Sequence, residues 1–127
     1  MRIIGIDPGL TRCGIGIIDM DSQRRAQLVH VEVARSPQNM ASHFRLDRIR
    51  RRIAAAIEEH HPEVMSIERV FAQDNVQSVT STMWVMGIAM SEAAAHKLPL
   101  AIHTPSEVKA AVTGSGVADQ AQVQHMV

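Results

Sequence analysis

Ile3-Ile4-Gly5-Ile6-Asp7-Pro8-Gly9 puts one carboxylate at the end of an apolar strand, directly before a turn. Further on, the pattern returns as Val64-Met65-Ser66-Ile67-Glu68. Buried strands rarely carry acids, because a desolvated carboxylate is costly unless a cation or hydrogen bonds compensate it. If the two strands are neighbours, ~4.8 Å apart, Asp7 and Glu68 repel one another until something positive sits between them. A hard divalent ion fits: Mg2+ or Mn2+ prefers oxygen ligands and accepts one or two carboxylates plus water and substrate phosphate. That pairing points to phosphodiester chemistry. The plainer alternative has Asp7 capping its turn and Glu68 paired with Arg69 or Arg12.

Working outward, Arg2–Ile6, Cys13–Asp19 and roughly Gln27–Ala34 read as three strands joined by turns at Pro8-Gly9 and the polar stretch 19–25. Such short links favour antiparallel hairpins. Gly14 and Gly16 share one face of the second strand and leave room for another backbone or a ligand. From Ser42 the period changes. Leu46, Ile49, Ile53, Ala56 and Ile57 form a helical stripe that ends at His60-His61-Pro62. Val64–Val70 is the next strand and Asn75–Lys97 a helix about 35 Å long. A strand at Leu100–His103 follows, then a helix opened by Thr104-Pro105-Ser106-Glu107, a Gly114-Ser115-Gly116 turn and a last helix from about Asp119. The order predicts an α/β fold with a five-stranded mixed sheet, three strands antiparallel and then two parallel, flanked by helices.

At 127 residues and 14.0 kDa the chain is expected to be a single domain, 1–127. No apolar run approaches the ~18 residues of a membrane helix, and the N-terminus lacks the pattern of a secretory signal. Cys13 is the only cysteine, so no internal disulfide is available and a reducing cytoplasm is the expected location. The formal net charge is zero, yet residues 1–70 hold eleven of the thirteen Lys and Arg. Arg45, Arg48, Arg50, Arg51 and Arg52 form a cluster that reads equally as a solvated helix face or a phosphate-contacting patch. Zinc fits poorly, since the seven histidines offer no pair at helical ligand spacing. The serines have no nucleophile-elbow context.

The long helix carries Val76, Val79, Met83, Met86, Met90 and Ala93 at heptad spacing, with Trp84, Val85, Ile88 and Ala89 on other faces. Two apolar faces predict two burials, one against the chain's own sheet and one against a second copy through Val79, Met83, Met86 and Met90. Phe71, one of only two phenylalanines, follows Glu68 by three residues. It is either a core residue at the strand exit or an apolar wedge of the kind that stacks on bases. Lys109 and the Gly114–Gly116 turn are weak phosphate-contact signals, each taken alone. Residues 121–127 end without a helix cap or polar tail, which reads as a chain broken off within or at the edge of a helix.

Taken together, Gly5-Ile6-Asp7-Pro8-Gly9 with Gly14, Ile67-Glu68-Arg69-Val70-Phe71, Pro105-Ser106-Glu107-Val108-Lys109, Val112-Thr113-Gly114-Ser115-Gly116 and Ala121-Gln122-Val123-Gln124-His125-Met126-Val127 resemble the RuvC family of bacterial Holliday junction resolvases. The five blocks keep family order and spacing from end to end of the chain. The resemblance implies an RNase H-like fold, a homodimer packed through the long helix, and Mg2+-dependent paired cutting of four-way DNA junctions in recombination and repair. It implies catalytic metal ligands at Asp7 and Glu68. It also implies DNA contacts by Phe71, Arg69, Lys109, Gly114 and Ser115, and partnership with the RuvA–RuvB branch-migration motor. Gln120 stands where family members usually have lysine. The further acidic ligands of the family's C-terminal helix have no match here, so little or no cleavage by this chain is expected. The alternatives are an actin- or sugar-kinase-like nucleotide-binding domain, an RNase H-like nuclease acting on RNA, and a catalytically incompetent junction-binding fragment.

Overall fold

The strand that ends in Asp7 lies at the centre of the sheet. In the computed structural model, which describes residues 1–68 and 76–103 (side chains of 76–78 and 103 excepted), the strand order is β3-β2-β1-β4-β5. β1 (Arg2–Asp7) pairs antiparallel with β2 (Arg12–Met20), and β2 pairs antiparallel with β3 (Ala26–Arg35). On its other side β1 runs parallel to β4 (Val64–Glu68), which runs parallel to β5 (Leu100–His103). Tight links can only return a strand antiparallel, whereas parallel neighbours need a crossover. The crossovers hold helices α1 (Ser42–His60) and α2 (Val76–Ala95). This is the mixed sheet that the element order predicts, and the RNase H-like arrangement that the family resemblance implies. The predicted first strand extends one residue further, which makes Asp7 its last member.

α1 buries Ile49, Ile53, Ala56 and Ile57 on one stripe. It stops where His61 takes a left-handed conformation (φ 52°) and its N–H donates to the Ile57 carbonyl at 2.9 Å, just ahead of Pro62. α2 brings Val85, Ala89 and Ala93 to the same core. Alternation along the strands supplies the rest: Ile4, Ile6, Cys13, Ile15, Ile17, Met65 and Ile67, each no more than 2% exposed. This core is aliphatic, with each fully buried isoleucine contributing about 1.5–3 kcal/mol of transfer free energy. Cys13 lies within it, its thiol pushed up to about 12, chiefly by burial. Phe44 and Trp84 are exposed instead.

The other sheet face differs. Opposed residues on antiparallel strands share a face, so the pairing Asp7↔Gly14 places both on the side away from Cys13 and Ile15. Gly16, Arg12, Arg35, Val33 and Val31 follow on that side by alternation and register. Val31 and Val33 are exposed there.

Candidate active site

The β1–β4 register pairs Ile6 with Ile67, so Asp7 and Glu68 end two adjacent parallel strands side by side. Their carboxyls are close enough to share a proton in a hydrogen bond. Burial raises both above the ordinary carboxylate range, and Glu68 is pushed up to about 7 by burial, then by the charge of Asp7, then by that hydrogen bond. Oε2 of Glu68 is shut away from water and finds no hydrogen-bond partner among the described residues. A buried acceptor left without a donor is uncommon and asks for an explanation. Two acids competing for one proton, one with a stranded oxygen, are a ready donor set for a hard divalent cation.

The plainer alternative fails where it can be checked. Arg12 makes no ion pair with Glu68, and Arg69 lies outside the described residues. Among the described residues no third His, Cys, Asp or Glu joins the pair.

Glycines shape the approach to the acids. A Cβ on Gly14 would lie 3.2 Å from the Cβ of Asp7, a tight contact that asks the Asp7 side chain to give by a few tenths of an ångström. A Cβ on Gly9 would run into the Arg12 carbonyl oxygen, which fixes glycine in the turn that follows Asp7. The turn is braced from below by Arg45. Its Nε donates to Ser36 Oγ and its Nη2 to Thr11 Oγ1, both at 2.9 Å. Because the guanidinium can only donate, the Ser36 hydroxyl proton is directed onward to the Leu10 carbonyl, 2.6 Å away. This brace is not legible in the sequence, where Arg45 reads only as part of a basic run.

The basic run has other work. Arg50 bridges Asp47 (2.9 Å) and Glu92 of α2 (3.2 Å), Arg51 pairs with Asp47 (2.8 Å), and Arg52 pairs with Glu32 of β3 (2.9 Å). Within this run only Arg48 is exposed without an ion pair among the described residues. The cluster therefore ties α1 to α2 and β3, and the phosphate-patch alternative loses most of its cations.

On α2 the predicted seam divides. Met83 and Met90 are 59% and 40% exposed, Val79 is half-buried, Met86 packs partly against the chain's own core, and Ala93 is buried in it. Trp84 stands on the exposed side with Met83, beside Gly87, whose surroundings are open. Heptad spacing does not distinguish a helix's inner face from its outer one, and only packing against the sheet sorts them. Phe71, Arg69, Lys109, Gly114, Ser115 and Gln120 lie outside the described residues.

Comparison with known proteins agrees with this geometry. The profile of the family described as Crossover junction endodeoxyribonuclease RuvC matches residues 3–127. The Crossover junction endodeoxyribonuclease RuvC of Leifsonia xyli is 51% identical over 127 residues, all of this chain and 61% of its own length. That of Clavibacter michiganensis is likewise 51% identical, with 63% of its length covered. The chain thus spans about three fifths of the curated relatives it matches. Thermus thermophilus RuvC, solved in complex with a Holliday junction substrate, superposes with a TM-score of 0.82 at 28% identity, over 100% of this chain and 77% of that one. With the acid pair, the strand order and these likenesses in agreement, the sugar-kinase alternative is set aside, and the chain belongs to the RuvC family of crossover junction endodeoxyribonucleases.

Proposed function

We propose that this protein cuts four-way DNA junctions, with Asp7 and Glu68 as the centre of the reaction. The observation that carries the reading is the hydrogen-bonded acid pair with a stranded Glu68 oxygen. The Thermus relative bound to a Holliday junction supports the choice of substrate. Asp7 and Glu68 would hold Mg2+, or Mn2+ in its place. Such an ion, when bound, supplies an activated water and stabilises the charge of an in-line phosphoryl displacement. For both acids to act as ligands the proton between them must leave, which the position of Glu68 near neutrality allows. The central strands hold both carboxylates on rigid backbone, and Gly14, lacking a side chain, leaves Asp7 its place beside it.

The family's remaining features extend the proposal. Arg69, Phe71, Lys109, Gly114 and Ser115 contact the junction, with Phe71 entering near the cut. A homodimer forms through the outer face of α2 at Val79, Met83, Met86 and Met90, because a two-fold protein can place two equivalent sites on a two-fold junction. The RuvA–RuvB motor is the proposed partner and the cytoplasm the proposed location; no helix among the described residues is long and apolar enough to cross a membrane.

The test is cleavage of a synthetic four-way junction with Mg2+. Asp7→Asn and Glu68→Gln abolish cutting and leave junction binding intact; cutting at the unaltered rate by either variant would remove that residue from the mechanism. A second reading, a chain that binds junctions and scarcely cuts them, is favoured by the ligand set of two carboxylates among the described residues. It predicts binding without product in the same assay, and cutting restored when the chain is extended to the relatives' length.

A further inference from the structure

The last rung of the β2–β3 ladder sets Arg12 directly opposite Arg35. Like charges opposed across an antiparallel pair are destabilising. Both side chains are exposed, and neither has an ion pair among the described residues. The neighbouring residues, Thr11 and Ser36, are joined by Ser36 N–H donating to the Thr11 carbonyl at 3.1 Å, and both hydroxyls accept from the buried guanidinium of Arg45. Arg45 has no carboxylate partner among the described residues either. This corner of the sheet therefore carries Arg12 and Arg35 on one face and Arg45 on the other, with no acid bound to any of them among the described residues. Several other arginines of the molecule are paired: Arg2 with Asp19, Arg50 and Arg51 with Asp47, Arg52 with Glu32.

The corner lies beside the acid pair. Arg12 is two residues beyond Gly14, which opposes Asp7, and so it occupies the same sheet face and the same end of the sheet. From strand spacing and rise, its Cα lies about 8 Å from that of Asp7. Between them the surface is floored by Gly14, which leaves nothing to hold a strand of nucleic acid away. The Arg45 brace fixes the backbone on either side of the rung, so the two side chains start from a rigid base.

We propose that Arg12 and Arg35 form a clasp for one backbone phosphate of the DNA strand whose neighbouring phosphodiester lies at Asp7 and Glu68. Arginine suits the task, since its planar fork can grip phosphate oxygens in bidentate fashion. The clasp reads no base and sets where the strand lies relative to the acids. The inference rests on the proposed junction-cutting function.

The test measures junction binding by the full chain across a salt series, with Ca2+ in place of Mg2+ so that no cutting intervenes. The double variant Arg12→Gln/Arg35→Gln is compared with Arg24→Gln/Arg25→Gln, which removes the same charge from the exposed β2–β3 turn at the far end of these strands. For the first pair the expected outcome is about a tenfold loss of affinity and a salt slope shallower by roughly one, a lost phosphate contact being worth about 0.7–0.9. Arg12→Lys/Arg35→Lys keeps the slope and loses part of the affinity. The melting temperature of the glutamine double stays level or rises, because the repulsion has gone. Equal effects from the two glutamine doubles, or an unchanged slope in the first, would overturn the clasp. A wild-type chain that bound no junction DNA would instead bring down the function itself, and the clasp with it.

Discussion

The two faces of the sheet are built by opposite rules. Toward the helices the three central strands present isoleucine, methionine or cysteine in an aliphatic interior, from which the described aromatic side chains are absent. Away from the helices the sheet presents two acids sharing a proton, glycines, two unpaired arginines and exposed valines. One face holds the fold together. The other keeps features that weaken a fold: two partly buried acids side by side, an orphaned oxygen and opposed cations. Such local conflicts are expected where function is placed. Substitutions on the two faces should therefore separate stability from activity.

The sharpest separation comes from Asp7→Asn or Glu68→Gln. Each should lower junction cleavage on the order of a thousandfold, the scale for removing one well-placed electrostatic partner of a transition state. The melting temperature should rise or stay level, because the charge conflict is removed. A variant that melted earlier would break the comparison by giving the acids a structural role. On the opposite face Ile53→Ala should cost about 2–5 kcal/mol by urea unfolding, the usual range for a fully buried aliphatic. Arg45→Ala, which deletes the brace and leaves the Ser36 and Thr11 hydroxyls to find water, should cost roughly 1–3 kcal/mol.

Smaller again is the pH response of the cation-free chain. Glu68 binds its proton more tightly folded than unfolded, so its contribution to stability is full below its ordinary value of 4.5 and is lost as pH rises through about 7. The expected outcome is a melting temperature that falls across that window and recovers when Mg2+ or Mn2+ is added. A melting temperature flat with pH, with and without the ion, would deny the coupling of the two acids. The least effect belongs to Met83→Ser, an exposed position worth less than about 0.5 kcal/mol to the monomer. Any concentration-dependent loss of stability in that variant would locate the dimer contact on the outer face of α2.

How far the sequence carries depends on whether a residue's neighbours lie along the chain or across it. Asp7 and Glu68 were legible because an acid closing an apolar run is conspicuous in one dimension. The antiparallel start of the sheet followed from short links, and α1 from its 3.6-residue stripe ending at His60. The brace was hidden, because Arg45, Ser36 and Thr11 come from three segments that only the folded sheet brings together. The basic run misled for the same reason: its acids, Glu32 and Glu92, reside on β3 and α2. On α2, a mixture of methionine, tryptophan and glycine on several faces left the inner one undecided until Val85, Ala89 and Ala93 were seen against the sheet.

The seclusion of Cys13 has a practical corollary. A sulfur that is fully enclosed, with its thiolate out of reach at physiological pH, resists maleimides and spin-label reagents. Cysteines introduced at surface sites such as position 48 on α1 can therefore be tagged singly in an otherwise native background, opening the protein to distance measurements by fluorescence or electron resonance while it grips DNA.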